Sequence, residues 1–197
     1  MSEPVVLDRP SDPDLLFIGG TGRSGTHVFS QLLANHSHYA RVPIEARFHV
    51  NPQGFPDLLS GKTSPEQFVR KLERFWWKRI RAGEVAPVVA RRIPFGGKAR
   101  GLHKVLAKDR LVAAVAAFGR PNAAALDLAC RNLFLDLLWP IAEGEGKPGL
   151  IEMSCFTVAE SPTLTRLFPE AKFLHTVRDG RDAGSSKVSK RQKRSHP

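Results

Sequence analysis

The sequence predicts an α/β fold in which a central sheet carries a binding loop at the end of its first strand. Four short segments have the length and composition of buried strands, at residues 15–18, 39–42, 150–153 and 172–177. Stretches with helical spacing of apolar residues separate them, an order typical of parallel sheets. The first segment passes directly into a glycine-rich turn and then into a helix. Open parallel sheets bind their ligands where strands end in this way.

Composition and charge narrow the class of protein. The chain has 197 residues, of which 42% are hydrophobic and 25% charged, which suits one globular domain. Lysine and arginine number 30 against 19 for aspartate and glutamate, and the net charge of +11 favours an anionic partner. That partner is a nucleotide, a nucleic acid or an acidic membrane. Charge alone does not choose among them.

The compartment is predicted from what the sequence lacks. The first residues show no signal-peptide pattern, and the apolar runs are far shorter than the about 20 residues that cross a bilayer. Cys130 and Cys155 have neither a metal-binding nor a redox spacing, and we expect both to be buried thiols in a reducing cytosol. We therefore expect a cytoplasmic protein with no transmembrane segment.

We expect three regions along the chain. Residues 1–14, with their prolines and charges, form a flexible arm, residues 15–190 form the globular domain, and residues 191–197 form a basic tail. A helical insert at about residues 64–140 lies within the domain. Insertions of this kind form caps that shape the pocket for an acceptor.

Capping signals and apolar spacing place the helices. Ser64, Pro65 and Gln67 mark a helix start, because they supply a capping serine, a proline at the first position and a glutamine three residues after the cap. We expect both Trp76 and Trp77 in the core rather than on a ligand. The apolar side of this helix comprises Phe68, Leu72, Phe75, Trp76 and Ile80.

Other helices are expected at residues 26–35, 102–118 and 122–139. The first of them is expected to turn Val28, Leu32 and Leu33 toward the sheet.

The glycine-rich turn reads GGTGRSGTH, residues 19–27. Glycines in it let the backbone direct N–H groups at an anion, and the first turn of the following helix adds donors and a favourable dipole. Compared with the nucleotide-triphosphate loop G-x-x-x-x-G-K-[ST], Thr26 replaces the lysine and Arg23 supplies a cation inside the loop. His27 replaces the hydroxyl that would hold magnesium. Ordinary kinase or ATPase chemistry is therefore disfavoured.

Two separate segments resemble one enzyme family. TGRSGTH, residues 21–27, resembles the 5′-phosphosulfate-binding loop of the sulfotransferases that use 3′-phosphoadenosine 5′-phosphosulfate (PAPS), in the branch of tyrosylprotein and many bacterial carbohydrate sulfotransferases. The fourth strand ends at Arg178, and Ser186 follows on the next helix, as in the family's 3′-phosphate-binding segment. The alternative for Arg178 is a pair with Asp179 or Asp182 at the helix entry.

The resemblance implies a P-loop-like three-layer α/β fold with a central parallel sheet, a helical insert, and the first and fourth strands side by side. It implies PAPS as sulfuryl donor, its product 3′-phosphoadenosine 5′-phosphate (PAP), and no metal. The implied cofactor-binding residues are Gly22, Arg23, Ser24, Gly25, Thr26, His27, Arg178 and Ser186.

The sequence departs from the family's pattern in two places. Residues 152–155 read EMSC where bacterial relatives tend to read Glu-Lys-Thr-Pro, so a hydroxyl remains but the lysine and proline do not. The family's fold also continues past the 3′-phosphate segment, so we expect the domain to be incomplete at its C-terminus and this chain to have little activity alone.

Sulfuryl transfer needs in-line positioning, a base for the acceptor hydroxyl, and positive charge on the leaving phosphate. Arg23 suits the leaving side. Glu45 is the predicted base, because Glu45-Ala46-Arg47 resembles the Glu-Thr-Arg of the tyrosylprotein branch with one residue inserted upstream. A histidine is the alternative base, and His49 is the nearest one in sequence to Glu45. The other interpretation of Glu45 is a surface pair with Arg41 or Arg47.

The favoured function is sulfuryl transfer to a hydroxyl of a carbohydrate, a glycolipid or a peptide tyrosine. One alternative is a P-loop nucleotide kinase or another NTP-binding protein. The other is a basic nucleic-acid-binding module, suggested by the net charge and by the basic segment at residues 187–194, and it is the less favoured.

Overall fold

The structure is a computed structural model that describes residues 7–78 and 101–195. The strands are β1 (Asp14–Gly20), β2 (Tyr39–Arg41), β3 (Gly149–Met153) and β4 (Lys172–Thr176). The helices are α1 (Thr26–Ala34), α2 (Phe55–Leu59), α3 (Pro65–Lys71), α4 (Lys108–Phe118), α5 (Leu126–Leu138), α6 (Pro140–Gly144), α7 (Ser161–Leu167) and α8 (Gly180–Ser195). A π-helical stretch, Leu72–Trp76, continues α3, and Leu102–Lys104 forms a short 3-10 helix.

The chain forms two compact units. The helical unit comprises residues 1–9 and 43–140, and the sheet unit comprises residues 10–42 and 141–197. The predicted arm at residues 1–14 includes Arg9, which belongs to the helical unit, and Asp14, which begins β1.

The four strands form one parallel sheet in the order β2-β3-β1-β4. This confirms the predicted α/β class and the predicted pairing of the first and fourth strands. Gly20 at the end of β1 lies opposite Thr176 at the end of β4. The segments that follow these two strands therefore leave the sheet side by side.

Each face of the sheet has its own apolar cluster. Ile18, Ile151 and Met153 pack together on one face, where Leu33 of α1 joins them. Phe17 points to the opposite face and contacts Phe168, at the end of α7, with ring centroids 5.7 Å apart. Helices thus cover both faces, as parallel strands require.

The predicted orientation of α1 is wrong for two of its three residues. Leu33 contacts the sheet cluster, but Val28 and Leu32 are 70% and 62% exposed and line an open cavity of about 500 Å³. Thr26 and Ser30 are buried instead. These small residues lie on the same side of the helix as Leu33, and their size lets α1 approach the strands closely.

The start of α3 confirms the predicted capping box. The Ser64 hydroxyl accepts a hydrogen bond from the Gln67 backbone N–H, and the Gln67 side chain accepts one from the Ser64 N–H over 2.9 Å. The sequence did not predict the helix α2, which forms in a segment rich in proline and glycine. The helix expected at residues 102–118 is divided into the 3-10 helix and α4.

Aromatic side chains form the core of the helical unit. Phe68 lies at its centre, with ring centroids 5.5 Å from Phe55, 5.9 Å from Trp76 and 5.7 Å from Phe118. Trp76 is buried as predicted, whereas Phe75 is 43% exposed. A π-helix has a longer hydrogen-bonded turn, so the apolar spacing of α3 does not carry through it and Phe75 turns outward. Trp77 is half-buried, and Ile80 lies outside the described residues.

An ion pair with a buried carboxylate holds Arg9 within the helical unit. Arg9 donates from Nε to Asp136 Oδ1 over 2.6 Å and from Nη2 to Oδ2 over 2.7 Å. Asp136 is 1% exposed, and this pairing raises the pKa of Arg9. A bidentate pair of this kind satisfies a buried carboxylate well.

One carboxylate links three strands at the amino edge of the sheet, which is formed by the N-terminal ends of its parallel strands. Asp14, the first residue of β1, accepts hydrogen bonds from His38 Nε2 over 2.6 Å and from Lys172 Nζ over 3.0 Å. The Tyr39 hydroxyl also donates to it, over 3.3 Å. Burial acts to raise the pKa of Asp14, but the hydrogen bonds and charges of His38 and Lys172 outweigh it, so that the pKa lies below its ordinary value. Ionised Asp14 therefore links β1 to β4 and to the start of β2.

Because its pKa is lower in the folded state, Asp14 stabilises the fold above the ordinary carboxyl pKa of about 4, and this contribution is lost as the pH falls through the folded pKa. We expect Asp14→Asn to lower the free energy of unfolding by about 1 kcal/mol at pH 7. Denaturant titrations between neutral and acidic pH should show the two proteins converging below about pH 4. Asp12→Asn, which alters an exposed carboxylate of the same segment, is the control. A difference that stays constant with pH would contradict this account.

Candidate functional site

The loop between β1 and α1 has a backbone that only particular residues permit. A Cβ on Gly20 would overlap the hydroxyl oxygens of Thr176 and Ser24, so glycine alone fits there. Gly25 has a φ of 99° and Arg23 a φ of 80°, both in the left-handed region. Arginine is rare in that region, and such a conformation costs on the order of 1 kcal/mol. The surrounding contacts must therefore hold Arg23 in place.

The loop has the properties of an anion site. Gly25 is the N-cap of α1 and has no side chain with which to cap the first-turn N–H groups. The positive end of the helix dipole lies at the same point. Arg23 is exposed beside it, and Thr26 adds a hydroxyl in the first turn. This combination of amides, dipole and guanidinium suits a phosphate or a sulfate group.

The segment after β4 contacts the same loop. Arg178 Nη1 donates to the Arg23 carbonyl oxygen over 3.4 Å, and Arg23 Nε donates to the Ser186 hydroxyl over 2.9 Å. Ser186 lies on α8, which begins at Gly180. Three of the predicted site residues, from segments more than 150 residues apart, are thus brought together within the sheet unit.

Asp179 does not take Arg178 as its partner. Its carboxylate accepts from Arg181 Nη2 over 3.0 Å and from the Arg181 backbone N–H over 2.8 Å. These hydrogen bonds lower the pKa of Asp179. The structure therefore does not show the alternative pairing of Arg178 with Asp179.

Thr176 belongs to this site and was not predicted from the sequence. Its hydroxyl donates to the Gly19 carbonyl oxygen over 3.1 Å and lies 2.9 Å from the Ser24 hydroxyl oxygen. The residue is buried, at 8% exposure. A hydroxyl at the last position of a strand, two residues before Arg178, was the signal available in the sequence.

The predicted base lies in the helical unit. Glu45 Oε2 accepts from Arg47 Nε over 2.9 Å and also from Arg47 Nη2. The predicted alternative pairing with Arg47 is therefore present, and it fixes the orientation of the carboxylate. The Glu45 side chain is 11% exposed.

His49, the nearest histidine to Glu45 in sequence, is fully buried. Its ring meets those of Phe134 and Phe48 edge-on, with centroids 5.2 and 5.5 Å apart. A base must reach the acceptor hydroxyl, so this position suits a core residue better than a base. His27 is exposed in the first turn of α1.

The segment that departs from the Glu-Lys-Thr-Pro pattern is built into the sheet unit. Glu152 and Ser154 are each 1% exposed, and the Ser154 hydroxyl donates to Glu152 Oε1 over 2.8 Å. The Thr157 hydroxyl donates to the Ser154 carbonyl oxygen over 2.7 Å. Cys155 beside them is half-buried, not buried as predicted, whereas Cys130 is buried.

Across residues 7–78 and 101–195, no three His, Cys, Asp or Glu side chains are grouped so that they could hold a metal ion. No helix in this part of the chain combines the length and the apolar character needed to cross a bilayer.

Comparisons with known proteins found matches to sulfotransferases. A crystal structure of sulfotransferase STF9 from Mycobacterium avium is similar to the chain, with 18% sequence identity and a TM-score of 0.40. The match covers 96% of this chain and 49% of that one, so the chain spans about half the length of that protein. A search of curated proteins gave no significant match. A sequence model of the sulfotransferase family matches residues 13–197, and the chain therefore belongs to the sulfotransferase family.

Proposed function

We propose that the chain binds PAPS and transfers its sulfuryl group to a hydroxyl of a carbohydrate, a glycolipid or a peptide tyrosine. The observation that carries the proposal is the contact between Arg23 and Ser186, across 163 residues of sequence. PAPS has two anionic groups, a 5′-phosphosulfate and a 3′-phosphate, and its enzyme needs two anion-binding segments close together. Family membership supports a transferase, and we place it in the cytoplasm.

In this proposal the loop binds the 5′ end of the nucleotide. Its residues Gly22, Arg23, Ser24, Gly25, Thr26 and His27 form the phosphosulfate site. Arg23 is suited to neutralise the charge that grows on the leaving phosphate, since its guanidinium is always ionised and is exposed at the loop. No metal is needed for this neutralisation.

Arg178 and Ser186 bind the 3′-phosphate in this proposal. Both already take part in hydrogen bonds with Arg23. A hydrogen bond from an ionised guanidinium to a phosphate oxygen joins opposite charges, so it is stronger than the bond of the same guanidinium to a neutral hydroxyl. Exchanging the Arg23–Ser186 contact for contacts to the nucleotide is therefore favourable.

Glu45 is the proposed base. During transfer the sulfur–oxygen bond to the leaving phosphate breaks, a new bond forms between sulfur and the acceptor oxygen, and the acceptor proton passes to the Glu45 carboxylate. The bonding electron pair stays on the phosphate oxygen. The hydrogen bonds from Arg47, which orient the carboxylate, and the burial of the rival His49 support this choice.

The first test of the function is calorimetric titration with PAP and with adenosine 5′-phosphate in the absence of metal. We expect Arg178→Ala to weaken PAP binding by about 1.5–3 kcal/mol, because a charged hydrogen-bond partner is lost. Adenosine 5′-phosphate lacks the 3′ group, so its affinity should change little. Arg181→Ala, which alters a neighbouring arginine paired with Asp179, is the matched control.

Three results would contradict the proposal. Equal weakening of the two nucleotides would remove the 3′-phosphate role from Arg178. Magnesium-dependent ATP binding without PAP binding would favour an NTP-binding protein. Salt-sensitive binding of DNA or RNA, with indifference to PAP, would favour the nucleic-acid-binding alternative.

The role of Glu45 is tested by Glu45→Gln, which retains shape but cannot accept the proton. We expect turnover of PAPS with a hydroxyl acceptor to fall by on the order of a hundredfold, while PAP affinity is unchanged. Glu73→Gln, another carboxylate of the helical unit, should leave turnover unaltered. A fully active Glu45→Gln beside an inactive but folded His49→Asn would assign the base to the histidine.

A further inference from the structure

We propose that Thr176 is a positioning residue that holds the phosphosulfate loop against the end of β4. The proposal deepens the function above and rests on it for its effect on nucleotide affinity. Thr176 is the last residue of β4 and lies opposite Gly20 in the sheet. It therefore stands where the strand that leads to Arg178 passes the start of the loop.

The direction of the two hydroxyl hydrogen bonds follows from counting protons. A threonine hydroxyl has one hydrogen, and Thr176 donates it to the Gly19 carbonyl oxygen, which can only accept. The hydrogen between Thr176 and Ser24, whose oxygens lie 2.9 Å apart, must then come from Ser24. Thr176 thus accepts from one end of the loop and donates to the other.

This assignment gives Ser24 a definite task. Its backbone N–H donates to the Thr21 carbonyl oxygen over 3.0 Å, and its hydroxyl donates to Thr176. Both donors of Ser24 are therefore used inside the sheet unit. Ser24 contributes to anion binding by fixing the loop shape, and the neighbouring amides, Thr26 and Arg23 supply the donors.

The local packing is shaped for this contact. Gly20 has no side chain, and a Cβ there would occupy the space where the Ser24 and Thr176 hydroxyls meet. Arg23, directly before Ser24, has the strained φ of 80°. The Ser24–Thr176 hydrogen bond is one of the contacts that can hold the loop in this conformation, since it acts on the adjacent residue.

The test compares Thr176→Val, which removes only the hydroxyl, with Thr176→Ser, which retains it. Hydrogen–deuterium exchange of the amides of residues 20–26, measured without ligand, should be faster in Thr176→Val and in Ser24→Ala than in the wild type. The double variant should exchange no faster than either single variant. Thr176→Ser should exchange as the wild type does. Thr163→Val is the control, because it removes a hydroxyl of α7 that is hydrogen-bonded to Glu160, and it should not change exchange in the loop.

Nucleotide affinity provides the second readout. Thr176→Val should weaken PAP and adenosine 5′-phosphate by the same factor, on the order of tenfold, because it disturbs the loop that both ligands share. This pattern differs from that of Arg178→Ala, which acts on the 3′ group alone. A loss confined to PAP, additive effects of the two substitutions on exchange, or no rescue by serine would overturn the proposal.

The two proposals fail in different ways. If the wild type binds no PAP, the proposed function is wrong, and exchange in the ligand-free protein still decides whether Thr176 holds the loop. If Thr176→Val does not fold, Ser24→Ala removes the same hydrogen bond from a half-buried side chain. Wild-type exchange in a folded Ser24→Ala would then overturn the role of Thr176.

Discussion

The parallel pairing of β1 with β4 is the constraint on which the candidate site depends. It places Gly20 opposite Thr176, so the loop and the segment that leads to α8 leave the sheet together. Without this pairing, Arg23 and Ser186 would be separated by most of the chain. A parallel neighbour also requires a long crossover, which here contains α1, β2, the helical unit, β3 and α7. The candidate site therefore depends on this strand pairing.

The two edges of the sheet have different electrostatic roles. At the amino edge, the carboxylate of Asp14 gathers His38, Tyr39 and Lys172 into a neutralised cluster that holds strands together. At the carboxyl edge, which is formed by the C-terminal ends of the strands, Arg23 and Arg178 lie beside the positive end of the α1 dipole. The charges of the first edge are matched by partners within the chain, whereas those of the second suit an anionic ligand.

The loop contains a residue with a strained backbone, and hydrogen bonds from β4 stabilise the loop. Arg23 has an unfavourable backbone conformation, and Gly25 follows with a φ that glycine tolerates. The hydrogen bonds of Thr176 with Ser24 and with the Gly19 carbonyl hold the two ends of the loop next to the strained residue. An anion site built from backbone amides needs such support, because its geometry must be in place before the ligand arrives.

The sequence by itself determined those features that depend on near neighbours. The strand, loop and helix at residues 14–34, the capping box of Ser64 and Gln67, and the burial of Trp76 follow from local spacing and from the conformational needs of glycine, serine and proline. The parallel sheet could be predicted from the order of strands and helices, whereas Arg178 and Ser186 were singled out because their segment resembles the 3′-phosphate-binding segment of sulfotransferases.

Only the tertiary structure decided which of these positions touch. Thr26, Ser30 and Leu33 face the sheet, whereas Val28 and Leu32 do not. Helical spacing could not distinguish these two sets, because the members of each set share one side of the helix. The π-helix that turns Phe75 outward is not visible as a sequence period. The partnership of Ser24 with Thr176 spans 152 residues, and that of Arg23 with Ser186 spans 163. Such contacts are set by strand order and register, which bring distant residues together regardless of their separation along the chain.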